Sequence, residues 1–418
     1  MEKLPVTDRP IRVALFPDSL HEVNGVANTC RNFVAYAQRH ELPLLLVCAA
    51  AETATVQDGS VTRLGLRRGP VSFALEKDLR FDAAILRYRH QVIAALKAFQ
   101  PDVIHITGPN DIGMLGAFVA HELGISVAAS WHTNVHEYAA RRAERILPRL
   151  FAGKPRARTL QAIEDVSFHL SALFYRVGRF HYAPNLELIA KLQKATHKNC
   201  ALMERGVDLD MFTPAHRDRQ NDGEFVIGYA GRLSTEKKVR SFAALSLAVR
   251  AAGLERVKFV FVGHGQEEAW LRQHVPGAEF TGVLRGQALA RAYANMDLFA
   301  FFSETDTFGN VVLEALASGV PAVVTDKGGP KFIVEHERCG FVCADDYEFQ
   351  AAVLRLATDR ALHSRFAVAA RERAQRASWD AVFASVYDTY RRELPQPGEV
   401  SRPSRFRRTM SRLSRAHA

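Results

Sequence analysis

Short apolar runs alternate with longer segments of mixed polarity, and the alternation occurs twice along the chain. IRVALFP (11–17), LPLLLVCAA (42–50), DVIHI (102–106) and ISVAASWH (125–132) form the first series. FVIGYAG (225–231), KFVFVG (258–263), LFAFFS (298–303) and PAVVTD (321–326) form the second. Continuous apolar runs of this length suit strands buried on both faces. Helix-like segments fit between them, at 25–40, 237–252, 266–274, 286–295, 310–318 and 346–356. Strands alternating with helices build a parallel sheet covered on both sides. MFTPAHRDRQNDGE (211–224) is polar, carries proline and glycine, and reads as a linker. The pattern predicts an α/β chain of two Rossmann-like domains, 1–213 and 214–380, facing each other across an interdomain cleft.

The bulk properties agree. A chain of 418 residues with 48% hydrophobic content is long enough for two such cores. No run of 18 apolar residues and no signal-peptide pattern is present in the sequence. Cysteines at 30, 48, 200, 339 and 343 form no disulfide or zinc framework, so free thiols in a reducing compartment are expected. The net charge of +10 points to an anionic partner: nucleotide phosphate, acidic lipid or nucleic acid.

Open parallel sheets bind ligands beyond the carboxyl ends of their strands. Chemistry-bearing residues gather there: Asn24-Gly25, Gly108, His132, Gly231-Arg232, Gly263-His264-Gly265, Asp306 and Gly328-Gly329. In GRLSTEKK (231–238), Arg232 follows a strand and Lys237 is expected at the start of the next helix. Two cations beside a helix N-terminus suit a pyrophosphate, although exposed charges of this kind are common on any surface. No GxGxxG with a following acid and no GxxxxGK[ST] occurs, which disfavours a dinucleotide enzyme and a P-loop.

In TDTFGNVVLEA, Gly309 permits a close backbone approach and Asn310 starts a helix. Glu314 would lie just over one turn inside that helix, with Asp306 in the loop ahead. The apolar flanks of Glu314 imply partial burial, and a buried carboxylate needs partners. Sugar or ribose hydroxyls are one such set. His132 ends a strand and can donate to a sugar hydroxyl or a developing charge, or serve in packing. His105 and His136 are less well placed. Gly25 lies at a strand-to-helix turn, where backbone N–H groups can meet a phosphate oxygen. Asp208 and Asp210 form a DLD near the linker and read as hinge-side polar residues.

GRLSTEK, GHG followed by FTGVLRG, SETDTFGNVVLEA and DKGGP resemble, in that order, the family-4 retaining glycosyltransferases of the GT-B fold. NGVANT, WHTN and ERGVDLDMFTP fit the same family, and the likeness covers about residues 11–390. It is similar to bacterial GDP-mannose-dependent α-mannosyltransferases and to sulfoquinovosyl and glycolipid transferases. The resemblance implies that Arg232 and Lys237 hold the donor diphosphate, and that Gly25 approaches the phosphates. His132 would contact the transferred sugar. Asp306 and Glu314 match the family's acidic pair, Glu314 on the ribose and Asp306, in place of the commoner Glu, near the sugar hydroxyls. The backbone of Phe308, Gly309, Asn310 and Val311 would close on sugar and phosphate. Leu284 and Arg285 would lie near the base. The helix at 381–395 would return to the first domain. No cofactor or metal is implied, the nucleotide-sugar being a substrate.

RRAERILPRLFAGKPRAR (141–158) interleaves arginines with apolar anchors and suits an anionic membrane surface. The basic tail, 396–418, reads as disordered. The tail's basic residues are not interleaved with aromatics as stacking sites require, so no nucleic acid is expected as a partner. The expected function is hexose transfer, mannose or a glucose-like sugar, from GDP-mannose or a UDP-sugar to a lipid-linked, polyprenyl or phospholipid acceptor. The expected place is cytoplasmic, peripheral on the inner face of the cytoplasmic membrane. A soluble polyol or glycan acceptor, and a catalytically silent nucleotide-sugar-binding scaffold, are the alternatives.

Overall fold

The computed structural model describes residues 9–20, 25–76, 79–132, 166–219, 223–306 and 308–395. Asn24, His136, the basic segment 141–158, Thr307 and the tail 396–418 lie outside the described residues. By contact the chain divides into two units. One runs to Met203 and resumes at Phe383, and the other spans Glu204 to Val382.

The first unit carries β1 (Val13–Phe16), β2 (Leu44–Ala50), β3 (Ala54–Asp58), β4 (Val61–Arg67), β5 (Ser72–Glu76), β6 (Leu79–Asp82), β7 (Val103–Ile106), β8 (Ser126–Ser130), β9 (Phe180–Ala183) and β10 (Cys200–Leu202). Eight of these form a sheet in the order β10-β9-β8-β7-β1-β2-β4-β3. Every pairing in it is parallel except the β3–β4 hairpin. β1, β7 and β9 are buried along their whole length, and β7 and β9 each enclose one histidine among apolar residues. β3, ATVQD, is exposed throughout, as a polar edge strand can be. The antiparallel pair β5–β6 stands apart from the main sheet. Helices α1 (Gly25–Arg39), α2 (Arg89–Phe99), α3 (Asp111–Leu123), α4 (166–175) and α5 (Leu186–Thr196) connect the strands. The Asn110 and Asn185 side chains accept backbone N–H bonds and cap α3 and α5.

The second unit has six parallel strands: β11 (Phe225–Ala230), β12 (Val257–Val262), β13 (Glu279–Gly282), β14 (Leu298–Phe301), β15 (Ala322–Thr325) and β16 (Gly340–Cys343). Their order is β13-β12-β11-β14-β15-β16. Helices α6 (Ser241–Ala251), α7 (Glu268–His274), α8 (Gly286–Ala294), α9 (Asn310–Ala317), α10 (Asp346–Thr358) and α11 (Arg360–Gln375) complete it. The stretch read as a linker belongs to this unit from its start. Arg371 on α11 donates to the carbonyls of Leu209, Phe212 and Ala317. Proline and glycine there mark a surface loop that is held down by an arginine. Asp208 accepts the N–H groups of Asp210 and Met211, so it forms a turn.

α12 (Trp379–Glu393) begins in the second unit and packs from Phe383 onward on the first. Phe383, Val386, Tyr387 and Tyr390 recur at helical spacing and are almost completely buried. Phe383 meets Phe33 edge to face at 4.9 Å, and Tyr182 Oη donates to the Val386 carbonyl at 2.9 Å. Arg179 Nε donates to the Glu393 carbonyl at 2.8 Å. Phe383→Ala should therefore destabilise the first unit by about 3–5 kcal/mol. Calorimetric melting checks this: one transition should move down while the other stays in place.

Candidate active site

In the second unit the loops after β11 and β12 touch backbone to backbone. Gly231 and Gly263 adopt φ values of 143° and 135°, in the region that favours glycine. A Cβ on Gly263 would sit 2.0 Å from the Gly231 carbonyl oxygen, and one on Gly265 would sit 2.2 Å from that of Leu233. The GHG motif is thus a packing device that brings the Arg232–Lys237 loop into its place. Glu267, just beyond it, accepts from Thr235 Oγ1 and Arg240 Nε, both at 2.6 Å. These bonds, Thr235 first, hold the Glu267 carboxyl below the usual range.

Lys237 does not start a helix. It ends a 3₁₀ turn, Thr235–Lys237, then Lys238 takes a left-handed φ of 51°, and α6 begins only at Ser241. The turn delivers the Lys237 ammonium to Asp306, whose two oxygens accept from it at 2.7 and 2.8 Å. Both side chains are largely buried. An ammonium has three donors, so this pair leaves one. Lys238 makes a parallel bridge to Glu304 at 2.6 Å. Arg232, with its side chain 73% exposed, pairs with Glu236 at 2.9 Å.

The loop carrying Asp306 is fixed from the other side by DKGGP. Gly329 N–H donates to the Asp306 carbonyl at 2.6 Å. Gly328 has φ 66°, and a Cβ there would come within 2.9 Å of the Glu304 carbonyl oxygen. The second glycine cluster therefore positions the acidic loop.

Phe308 is buried, and Gly309, at φ 96°, occupies the cap position of α9 without any side-chain cap. Asn310 and Val311 open the helix and are half-buried. Their N–H groups lie in the first turn, where a helix has no internal acceptors. Glu314 is half-buried one turn on, and its Oε2 accepts from Tyr293 Oη at 2.9 Å. Burial raises its pKa to about 7, against the lowering effect of the Tyr293 bond. Tyr293 on α8 was not legible as a site residue, since nothing local marks it as a partner of Glu314. Leu284 packs half-buried on the core, and Arg285, exposed, precedes α8 in extended conformation. Among the described residues no hydrogen bond joins Arg285 to this cluster, and no three His, Cys, Asp or Glu side chains gather as metal ligands.

In the first unit Gly25 is the first residue of α1, and its carbonyl accepts from Thr29 Oγ1 at 2.9 Å. His132 lies two residues beyond β8, is 7% exposed, and its Nε2 bonds Ser130 Oγ at 2.7 Å. His105 is inside β7 and completely enclosed.

Residues 224–359 match the family described as "Glycosyl transferases group 1", and residues 24–165 match "Glycosyl transferase 4-like domain". A GDP-mannose-dependent alpha-mannosyltransferase of Mycobacterium tuberculosis is 32% identical over 385 residues, covering 89% of this chain and 94% of the relative. An alpha-monoglucosyldiacylglycerol synthase of Streptococcus pneumoniae is 25% identical over 363 residues, covering 82% of this chain and 78% of the relative. Among solved structures, sucrose-phosphate synthase of Thermosynechococcus elongatus superposes with a TM-score of 0.64 at 17% identity, over 92% of this chain and 99% of the other. At that identity the likeness is one of fold.

The raised pKa of Glu314 has a measurable consequence. Its folded form favours the neutral acid, so the associated stability is complete at low pH and is lost as pH rises from 4.5 through about 7. Each pKa unit corresponds to about 1.4 kcal/mol, so the loss approaches about 3 kcal/mol at most. Glu314→Gln should equal the parent in stability near pH 4.5 and exceed it at pH 8. Chemical denaturation at both pH values reads the difference, and a difference that does not change with pH would refute it.

Proposed function

From the premise that the chain belongs to the group 1 glycosyl transferases, we propose that it transfers mannose from GDP-mannose, with retention, to a lipid acceptor. The chain has the GT-B fold and is a hexosyltransferase that uses a nucleotide-sugar donor. The choice of mannose follows the name of the M. tuberculosis relative, and the choice of a lipid follows that of the S. pneumoniae relative. The observation that carries the donor site is the uncapped start of α9, one turn ahead of the Glu314 carboxylate, together with the buried Lys237–Asp306 pair.

In this reading the diphosphate takes N–H groups of the Gly309–Val311 turn, the remaining donor of Lys237, and the exposed guanidinium of Arg232. Glu314, as a carboxylate, accepts from the ribose hydroxyls. Asp306 holds Lys237 and reaches the sugar, while Leu284 and Arg285 border the base. His132 serves the sugar and Gly25 the phosphates. The bond from the anomeric carbon to the diphosphate oxygen breaks, and its electron pair leaves with GDP. The acceptor oxygen then bonds the anomeric carbon on the same face, and its proton passes to the leaving phosphate. Fixed cations and helix N–H groups aimed at that phosphate lower the barrier without reorganising. The basic segment 141–158 and the tail 396–418 supply contact with anionic lipid at the inner face of the cytoplasmic membrane.

Calorimetric titration with GDP-mannose and a set of UDP-sugars tests the donor. GDP-mannose should bind, weaken as pH falls below about 7 where Glu314 takes up its proton, and lose affinity in Arg232→Ala and Glu314→Ala. Lys237→Ala should lower kcat by on the order of 10²–10³. Selective binding of a UDP-sugar would overturn the choice of donor. Failure to bind any donor, with anionic vesicles still bound, would favour a scaffold. Product analysis with lipid extracts against soluble polyols decides the acceptor.

A further inference from the structure

We infer that Tyr390, His105 and Ser130 are positioning residues that fix His132 in the tautomer carrying its proton on Nδ1. The functional weight of this rests on the proposed role of His132 at the sugar, but the tautomer itself does not.

Four groups form one hydrogen-bonded chain inside the first unit. Tyr390 Oη, from α12, meets His105 Nδ1. His105 Nε2 meets Ser130 Oγ at 2.8 Å, and Ser130 Oγ meets His132 Nε2 at 2.7 Å. Tyr390 is 0% exposed, His105 and Ser130 are each 1% exposed, and His132 is 7% exposed, so the chain is enclosed by protein. His105 stacks on Tyr182 and meets the edge of Phe33. Burial drives its pKa down to about 3, so its ring is neutral and carries a single proton.

His105 and Ser130, the two inner groups, therefore each give one proton, and the chain runs in one of two directions. If His132 donated from Nε2, Ser130 would donate to His105 Nε2, and His105 would donate from Nδ1 to the phenol oxygen. The Tyr390 O–H would then need a further acceptor. Among the described residues none is bonded to it, and an unmade hydrogen bond at a fully enclosed phenol is costly. In the other direction every donor from Tyr390 to Ser130 is used: Tyr390 to His105 Nδ1, His105 Nε2–H to Ser130 Oγ, and Ser130 Oγ–H to His132 Nε2. His132 then accepts at Nε2 and holds its own proton on Nδ1. Its Nε2 lone pair is committed to Ser130, so the imidazole acts as a hydrogen-bond donor rather than as a base. The phenol that sets this direction lies 285 residues from His105 in sequence.

Nitrogen-15 spectra of the histidine side chains in the full-length protein test the assignment. The parent should show His132 protonated at Nδ1. Tyr390→Phe should shift His132 toward the Nε2–H form. It should also lower kcat roughly 10- to 100-fold, as loss of a partner that orients a functional histidine does, with the donor KM unchanged. Ser130→Ala should lower kcat similarly, and the double variant should be no worse than the more severe single one. Should Tyr390→Phe fold poorly, Ser130→Ala carries the test alone. Tyr182→Phe removes a hydroxyl that binds the same helix, at the Val386 carbonyl, outside the chain. It should keep the parent spectrum and kcat. A parent protonated at Nε2, an unchanged spectrum in Tyr390→Phe, or equal effects of Tyr182→Phe would each overturn the inference. An unaltered kcat in His132→Ala would instead remove the role of His132 and leave the tautomer result standing.

Discussion

Parallel strand pairing is the constraint on which the rest depends. It sends every strand of the second sheet, and all but one pairing of the first, the same way, so their carboxyl ends collect on one edge. The helices that follow present their N-termini at that edge. Polar chemistry can then be concentrated in loops while the strands stay apolar. The second unit uses glycine to tighten this arrangement. Gly231, Gly263 and Gly265 let two loops share backbone contact, and Gly328 with Gly329 grips the loop of Asp306. Four separate segments, none near another in sequence, are thereby brought to one place.

The charges placed there are unequal in their needs. Lys237 and Asp306 satisfy one another before any ligand arrives, which holds a largely buried ammonium in one direction. Among the described residues the Glu314 carboxyl has only the Tyr293 phenol as a hydrogen-bond partner, and burial shifts it toward its neutral form. A carboxylate so placed weakens the fold near neutral pH and gains most when hydroxyl donors reach it. In the proposed site the first pair is preformed, and the second group is completed by the donor. That division suits transfer chemistry, where the phosphate must be met by fixed cations while the nucleoside is recognised by groups that are satisfied only on binding.

Much of this was legible in the sequence. Fully buried strands such as VALF and LFAF announce themselves because both faces are apolar, and the loop residues after them stand out by contrast. β13, EFTG, escaped notice because it is short and half-exposed. α11 escaped because its exposed arginines and glutamates blur the apolar stripe. Lys237 was expected on a helix because nothing in TEKK signals that Lys238 would turn left-handed. Tyr293 and the Tyr390–His105 bond depend on tertiary neighbours remote in sequence, which no local period encodes. His105 lies within a strand rather than after it. Its position is what allows it to pass a hydrogen bond from a helix to the strand end.

α12 shows why the two halves of the sequence cannot be assigned function separately. The first unit's sheet is built before residue 203, yet part of its core, Phe383 to Tyr390, is supplied only after the whole second unit. The same helix contributes the phenol at the head of the hydrogen-bonded chain that ends on His132. Packing and polar order thus arrive together on one surface. The apolar face of the helix buries against Phe33 and Tyr36, while one hydroxyl among those rings sets the direction of three hydrogen bonds. A buried polar chain of this kind requires every member to be satisfied. Rigid docking of α12 meets that requirement, since a loosely held helix would leave both the core open and the direction of the chain undecided.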